Sequence, residues 1–134
     1  MKLAFARLVT DEVLVLAKFY EQVLGVPAIG SEDYVQLRIG GSGLAISSKR
    51  SVDVFNAGAA ESRANHSVVL DFEVQNVDRE RSRLQTFVSH FVLEPTDQPW
   101  GCRSMLFRDP DGNLINFFSY VAPRPTRSTG TYCN

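Results

Sequence analysis

Histidine and cysteine are scarce in this chain, two of each among 134 residues. Cys102 and Cys133 are too few for a disulfide framework or a zinc knuckle, and no Cys-x-x-Cys occurs. Cys102 falls in a strand pattern and Cys133 in a polar tail, so both are expected as reduced thiols. His66 and His90 lie 24 residues apart, one at a strand edge and one at a helix end, where a cation suits the dipole better than a metal. An excess of one charge is also lacking. Fourteen basic and fifteen acidic side chains leave −1, with six against six in the first 60 residues and eight against nine in the rest. Nothing in that balance steers toward nucleic acid or an anionic bilayer. No apolar run approaches the roughly 20 residues of a membrane helix. The opening Met1-Lys2-Leu3-Ala4-Phe5-Ala6-Arg7 is broken by charge too early for a signal peptide. A cytoplasmic protein with neither nucleic acid nor membrane as partner is expected.

What is present is a chain 44% hydrophobic and 22% charged, the balance of a globular domain with a real core. Leu3 to Val9 reads as a strand. Thr10 then offers a cap, Asp11 and Glu12 suit a helix start, and Leu16, Phe19, Tyr20, Val23 and Leu24 recur at helical spacing until Gly25 and Pro27. "DYVQLRIGGSGLAIS" is a hairpin turning on Gly40-Gly41-Ser42-Gly43, and residues 49–65 read as a loop with at most a short helical piece. The order then repeats. "HSVVLDFEV" is a strand, "NVDRERSRLQTFVSH" a helix capped by Asn76, "FVLEP" a strand, and "PWGCRSMLFRDPDGNLINFFSY" a closing hairpin. The chain therefore reads as two copies of strand–helix–strand–strand–strand, about 1–60 and 64–122, in one domain spanning 1–122 with a tail at 123–134.

Few motifs carry chemistry by themselves. The Gly40–Gly43 run is followed by a strand, so it cannot gather N–H groups around a phosphate as a helix start does. There is no Gly-x-Ser-x-Gly elbow. Arg79, Arg81 and Arg83, interleaved with Asp78 and Glu80, form a solvated helix face. Asp109-Pro110-Asp111-Gly112-Asn113 is turn chemistry: Pro fixes φ, Gly takes φ > 0, and Asp and Asn bond their own backbone.

Together, "FYEQVLGVP", "VVLDFEVQNVD" and "WGCRSMLFRDPDGNLINFF" resemble the vicinal-oxygen-chelate superfamily, the glyoxalase/bleomycin-resistance/dioxygenase family, over about residues 3–121. The resemblance implies an α+β fold of two βαβββ modules forming curved sheets around a cavity, commonly assembled as a homodimer. It also implies a divalent ion held by His or Gln, His and Glu on the first strand of each module and the last strand of the second, polarising two substrate oxygens. Here those positions fall at Ala4 or Phe5, at Val69, and at Asn116, where "DPDGNLIEL" becomes "DPDGNLINF". Only Asn116 offers a lone pair, a neutral amide oxygen that is a poor sole ligand. No metal and no cofactor is therefore expected.

A pocket without its metal is still a pocket. Alternation along the strands points Gln36 and Arg38 into it with Tyr34, Val69 with Asp71, and Asn116 with Leu114 and Phe118. Arg7 is expected to join them from the first strand, with Trp100 and Arg103 at the rim. Such a lining, rich in aromatic surface and guanidinium groups, suits a small planar or anionic molecule. The same residues also admit a structural reading, with Arg7, Arg38 and Asp71 pairing across the sheet and Trp100 packing in a dimer. The favoured function is metal-free binding of a small organic ligand, in the manner of the family's antibiotic-sequestering members. The near-neutral charge argues against bleomycin itself, since those members are acidic. Whether the chain is an enzyme stays open. The alternative is a lyase- or dioxygenase-like enzyme with an unorthodox metal site, or metal-free acid–base chemistry through Asp71 or an arginine.

Overall fold

The computed structural model describes residues 1–121; the expected tail, Cys133 with it, lies outside the described residues. The chain divides into two compact units, Met1–His66 with Asp109–Gly112, and Ser67–Arg108 with the segment from Asn113 onward. The first carries two helices and the second one, each unit with an open four-stranded mixed sheet, so the fold is α+β and repeats the βαβββ order.

The first unit comprises β1 (Ala6–Thr10), α1 (Val13–Leu24), β2 (Ile29–Gly30), β3 (Tyr34–Ile39), β4 (Ser42–Ser48) and α2 (Lys49–Asn56). Its sheet order is β1-β4-β3-β2, with β1 parallel to β4 and the other pairs antiparallel. Val13, Leu16, Ala17, Tyr20 and Val23 make the buried stripe of α1 against β3 and β4, where Val35, Leu37, Leu44 and Ile46 are buried. Gly25 ends the helix at φ 67°, its N–H on the Glu21 carbonyl at 3.0 Å.

Thr10 does not cap α1. It is fully buried as the last residue of β1, and its Oγ1 accepts from the Glu12 N–H at 3.1 Å, so the helix starts after Glu12 with no side-chain cap. The hairpin turn is also tighter than the sequence suggested. Ile39 pairs with Ser42, leaving Gly40-Gly41 as the loop, with Gly40 at φ 59°. Gly43 is already strand, and a Cβ there would meet the Leu37 carbonyl and the Phe5 ring, both at 2.7 Å. The short helical piece allowed after the hairpin is α2, capped by Ser48 Oγ accepting from the Ser51 N–H at 3.0 Å.

The second unit comprises β5 (Val69–Glu73), α3 (Val77–Leu84), β6 (Phe91–Asp97), β7 (Cys102–Arg108) and β8 (Leu114–Tyr120), in sheet order β5-β8-β7-β6. Asn76 caps α3, accepting from the Arg79 N–H at 2.9 Å. The helix stops at Leu84, whose carbonyl takes the N–H groups of Phe87 and Val88, so exposed His90 leads into β6 instead of closing a helix. One face of the sheet packs on α3. Leu70, Met105, Phe107, Ile115 and Phe117 are buried there, and the rings of Phe72, Phe117, Phe107 and Phe91 meet in turn at centroid distances of 5.8, 5.2 and 6.0 Å. Each such side chain contributes about 1.5–3 kcal/mol by leaving water. β6 is an edge strand, which is why it tolerates Pro95 and two register shifts. Cys102 is fully buried.

The Asp109–Gly112 turn follows its sequence chemistry but belongs with the first unit, not with the module that supplies its flanking strands. The Asp109 carbonyl accepts from Gly112 N–H at 3.0 Å, Asp109 Oδ1 accepts from Asp111 N–H at 2.9 Å, and Gly112 sits at φ 87°. The Tyr20 hydroxyl, on fully buried Tyr20, donates to Asp109 Oδ2 at 2.6 Å. Burial first, and the Asp109 carboxylate second, hold the Tyr20 proton well above the usual phenol range.

Candidate functional site

Alternation decides what the second sheet turns away from α3. On β5, Leu70 and Phe72 point to the core, so Val69 and Asp71 take the opposite face. On β8, Ile115 and Phe117 leave Leu114 and Asn116 there, and on β7 Met105 and Phe107 leave Ser104 and Leu106. Register lines them up: Val69 beside Leu114, Asp71 beside Asn116, and Asn116 beside Leu106. These residues wall a cavity of about 440 Å³, within the range of small-molecule sites. Leu93 extends the apolar wall from β6, and Gln98 and Trp100 add an amide and an indole from the β6–β7 connection.

Several polar atoms on the residues of this cavity are unpaired among the described residues. Asn116 is 3% exposed; its Nδ2 donates to Asp71 Oδ1 at 3.0 Å, the orientation a carboxylate acceptor requires. That leaves Asn116 Oδ1 buried without a partner among the described residues. Ser104 Oγ, on a residue also 3% exposed, and Trp100 Nε1 are in the same position. Three of the five orphaned buried side-chain atoms found among the described residues thus lie on residues of one cavity wall. Each such group costs about 1–3 kcal/mol if nothing bonds it.

Of the residues expected from the sequence, Val69, Asp71, Trp100 and Asn116 line this cavity. Phe118 lies on the same face of β8, across from Ser104, outside the lining. Arg103 is on the other face. Its guanidinium donates to both oxygens of Asp78, at the start of α3, at 2.7 and 2.8 Å, and to Asp97 at 3.0 Å. These bonds hold the Asp78 carboxyl below its usual range and raise the arginine further. Arg7, Gln36 and Arg38 belong to the first unit, where they share the sheet face turned away from α1, and Arg38 lies over the Phe5 ring at 5.2 Å. Among the described residues that line this cavity there is no guanidinium group.

Ser104, Leu106, Leu93 and Gln98 were not singled out from the sequence. The first two were legible: in "CRSMLFR" the large residues Met105 and Phe107 claim the core, which sends Ser104 and Leu106 to the cavity and Arg103 to the helix side. Leu93 was hidden by the register shifts of β6, and Gln98 by lying outside any strand.

The residues at the positions where the resemblance puts metal ligands do not fit a divalent ion. Ala4, Phe5 and Val69 carry no donor, and Asn116 carries a single neutral amide oxygen. Among the described residues no three His, Cys, Asp or Glu side chains converge. Among the same residues no helix is long and apolar enough to cross a membrane.

Comparison with known proteins agrees with this architecture. Residues 2–117 match the family model described as Glyoxalase/Bleomycin resistance protein/Dioxygenase superfamily. A glyoxalase/bleomycin resistance protein/dioxygenase from Nocardioides superposes with a TM-score of 0.78 at 20% identity, covering 97% of this chain and 90% of that one. A glyoxalase/bleomycin resistance protein/dioxygenase family enzyme from Burkholderia phytofirmans gives 0.78 at 17% identity, covering 90% and 99%. A glyoxalase-related enzyme from Fulvimarina pelagi gives 0.75 at 18%, covering 89% and 88%. No curated protein matches the chain.

Proposed function

The chain belongs to the Glyoxalase/Bleomycin resistance protein/Dioxygenase superfamily, and from that premise we propose that it is a metal-independent protein that binds and sequesters a small organic molecule. The observation that carries this is the second unit's cavity, apolar over most of its wall, with Asn116 Oδ1, Ser104 Oγ and Trp100 Nε1 buried and unpaired around it. Such a wall gives a ligand both a desolvated surface and directional contacts. An antibiotic is one class of ligand of suitable size. We take residues 1–122 as one domain that acts as a homodimer, a point that light scattering checks directly.

Trp100 is the chain's single tryptophan, so its fluorescence reports on this cavity. A screen of natural products and small acids and bases by tryptophan emission and thermal shift is expected to yield saturable binders. Elemental analysis of the purified protein is expected to find no stoichiometric metal. One Zn, Ni, Fe or Mn per chain overturns the metal-independent reading.

Asp71, the titratable group in the wall, keeps a second reading in play: acid–base chemistry on the bound molecule. Recovery of the ligand unchanged after long incubation supports sequestration. Conversion that disappears in Asp71→Asn supports the enzyme. Arg38→Ala tests the first unit's sheet face; weakened capture with an unchanged melting temperature brings that face into the site.

A further inference from the structure

Resting on the binding reading above, we propose that the cavity of the second unit selects an organic ammonium ligand, an aryl-alkyl amine in shape, and rejects the corresponding carboxylate. The argument starts from charge. Among the described residues that line the cavity, Asp71 is the charged one, and no Lys, Arg or His joins it. Glu73 follows on the same face of β5. The arginine expected at the rim, Arg103, is turned away onto Asp78 and Asp97. Arg108, next on the cavity-side face of β7, lies outside the lining. A carboxylate ligand would give up its hydration to face another carboxylate with no cation in the wall to compensate, whereas an ammonium would gain a partner there.

Hydrogen bonding points the same way. Asn116 Nδ2 is taken by Asp71 Oδ1, so the amide keeps Oδ1 as an unpaired acceptor near the carboxylate. Two acceptors side by side call for a group with several N–H donors, which an ammonium supplies and a carboxylate lacks. Ser104 lies diagonally across the β7–β8 pair from Asn116, a separation of about 7–8 Å. Its hydroxyl and the Trp100 N–H offer donors to a neutral oxygen at the ligand's far end. Leu93, Leu106 and Leu114 cover the stretch between. The chain's near-neutral charge does not oppose this, because selection here acts at contact range and not through the long-range field.

The test compares three probes of one shape by tryptophan fluorescence and calorimetry: tyramine, its neutral N-acetyl derivative, and hydroxyphenylpropionate. Tyramine is expected to bind at least about tenfold tighter than the carboxylate. Asp71→Asn is expected to weaken tyramine by about tenfold while leaving the N-acetyl derivative within about twofold. A carboxylate that binds as well as the amine overturns the ammonium inference and leaves the binding reading standing. So does an absence of response to all three at millimolar concentration, since the wider ligand screen tests the binding reading separately. Leu106→Trp, which fills the cavity, separates the two further. Tyramine binding that survives it places the amine elsewhere and overturns the inference.

Discussion

Ser104→Ala should make this protein more stable and a worse binder. Ser104 is 3% exposed and its Oγ has no partner among the described residues. A buried hydroxyl in that state costs about 1–3 kcal/mol. Removing one oxygen forfeits only a few atom contacts of about 0.1–0.2 kcal/mol each, and the strand pairing of Ser104 with Phe118 and Thr96 runs through the backbone. The net expectation is a gain of about 1 kcal/mol, or about 3–5 °C in melting temperature. Urea unfolding should show a raised midpoint at unchanged slope, the sign of altered stability without altered denatured state. Ligands found by the fluorescence screen should bind about fivefold more weakly, since the same oxygen is their partner. Met105→Ala, one residue along and on the core face, is the contrasting control and should cost about 2–5 kcal/mol. A loss of about 0.5 kcal/mol or more in Ser104→Ala refutes the reasoning: the hydroxyl would then be bonded in the free protein and not kept for a ligand.

Tyr20→Phe removes a buried donor from Asp109 and should cost about 2 kcal/mol by denaturant unfolding, the range for a hydrogen bond to a charged group. Because folding raises the Tyr20 phenol above its ordinary value, its contribution is complete below about pH 10 and fades as pH climbs through the folded value. The alkaline loss of stability should accordingly be smaller in Tyr20→Phe, and equal losses in both proteins would contradict the burial argument. Arg103→Ala should lower the melting temperature slightly and leave ligand affinity unchanged, with the effect shrinking in salt because the ion pairs are exposed. Folding lowers the Asp78 carboxyl, so the benefit of that pair is present above the usual carboxylate range and lost as pH falls through the folded value. A clear drop in affinity in this variant would return Arg103 to the site.

The repeat, the helix and strand order and the family were legible in the residues, because each rests on local physics. Leu16, Tyr20 and Val23 recur at the spacing of one helix face, Asn76 caps, Gly25 and Gly112 take left-handed backbone, and Asp-Pro-Asp-Gly-Asn must turn. Boundaries were less so: Thr10 had the chemistry of a cap but was claimed by its ladder pairing with Ser48. The strand residues of the cavity wall followed from alternation, but its charge was decided only in three dimensions. Composition offers arginines for an anion, but which guanidinium meets which carboxylate depends on strand register and on the helix packed beneath, and here that gives Arg103 to Asp78 and Asp97. The unpaired state of Ser104 Oγ, Asn116 Oδ1 and Trp100 Nε1 is likewise a property of neighbours far apart in sequence, which no local pattern encodes.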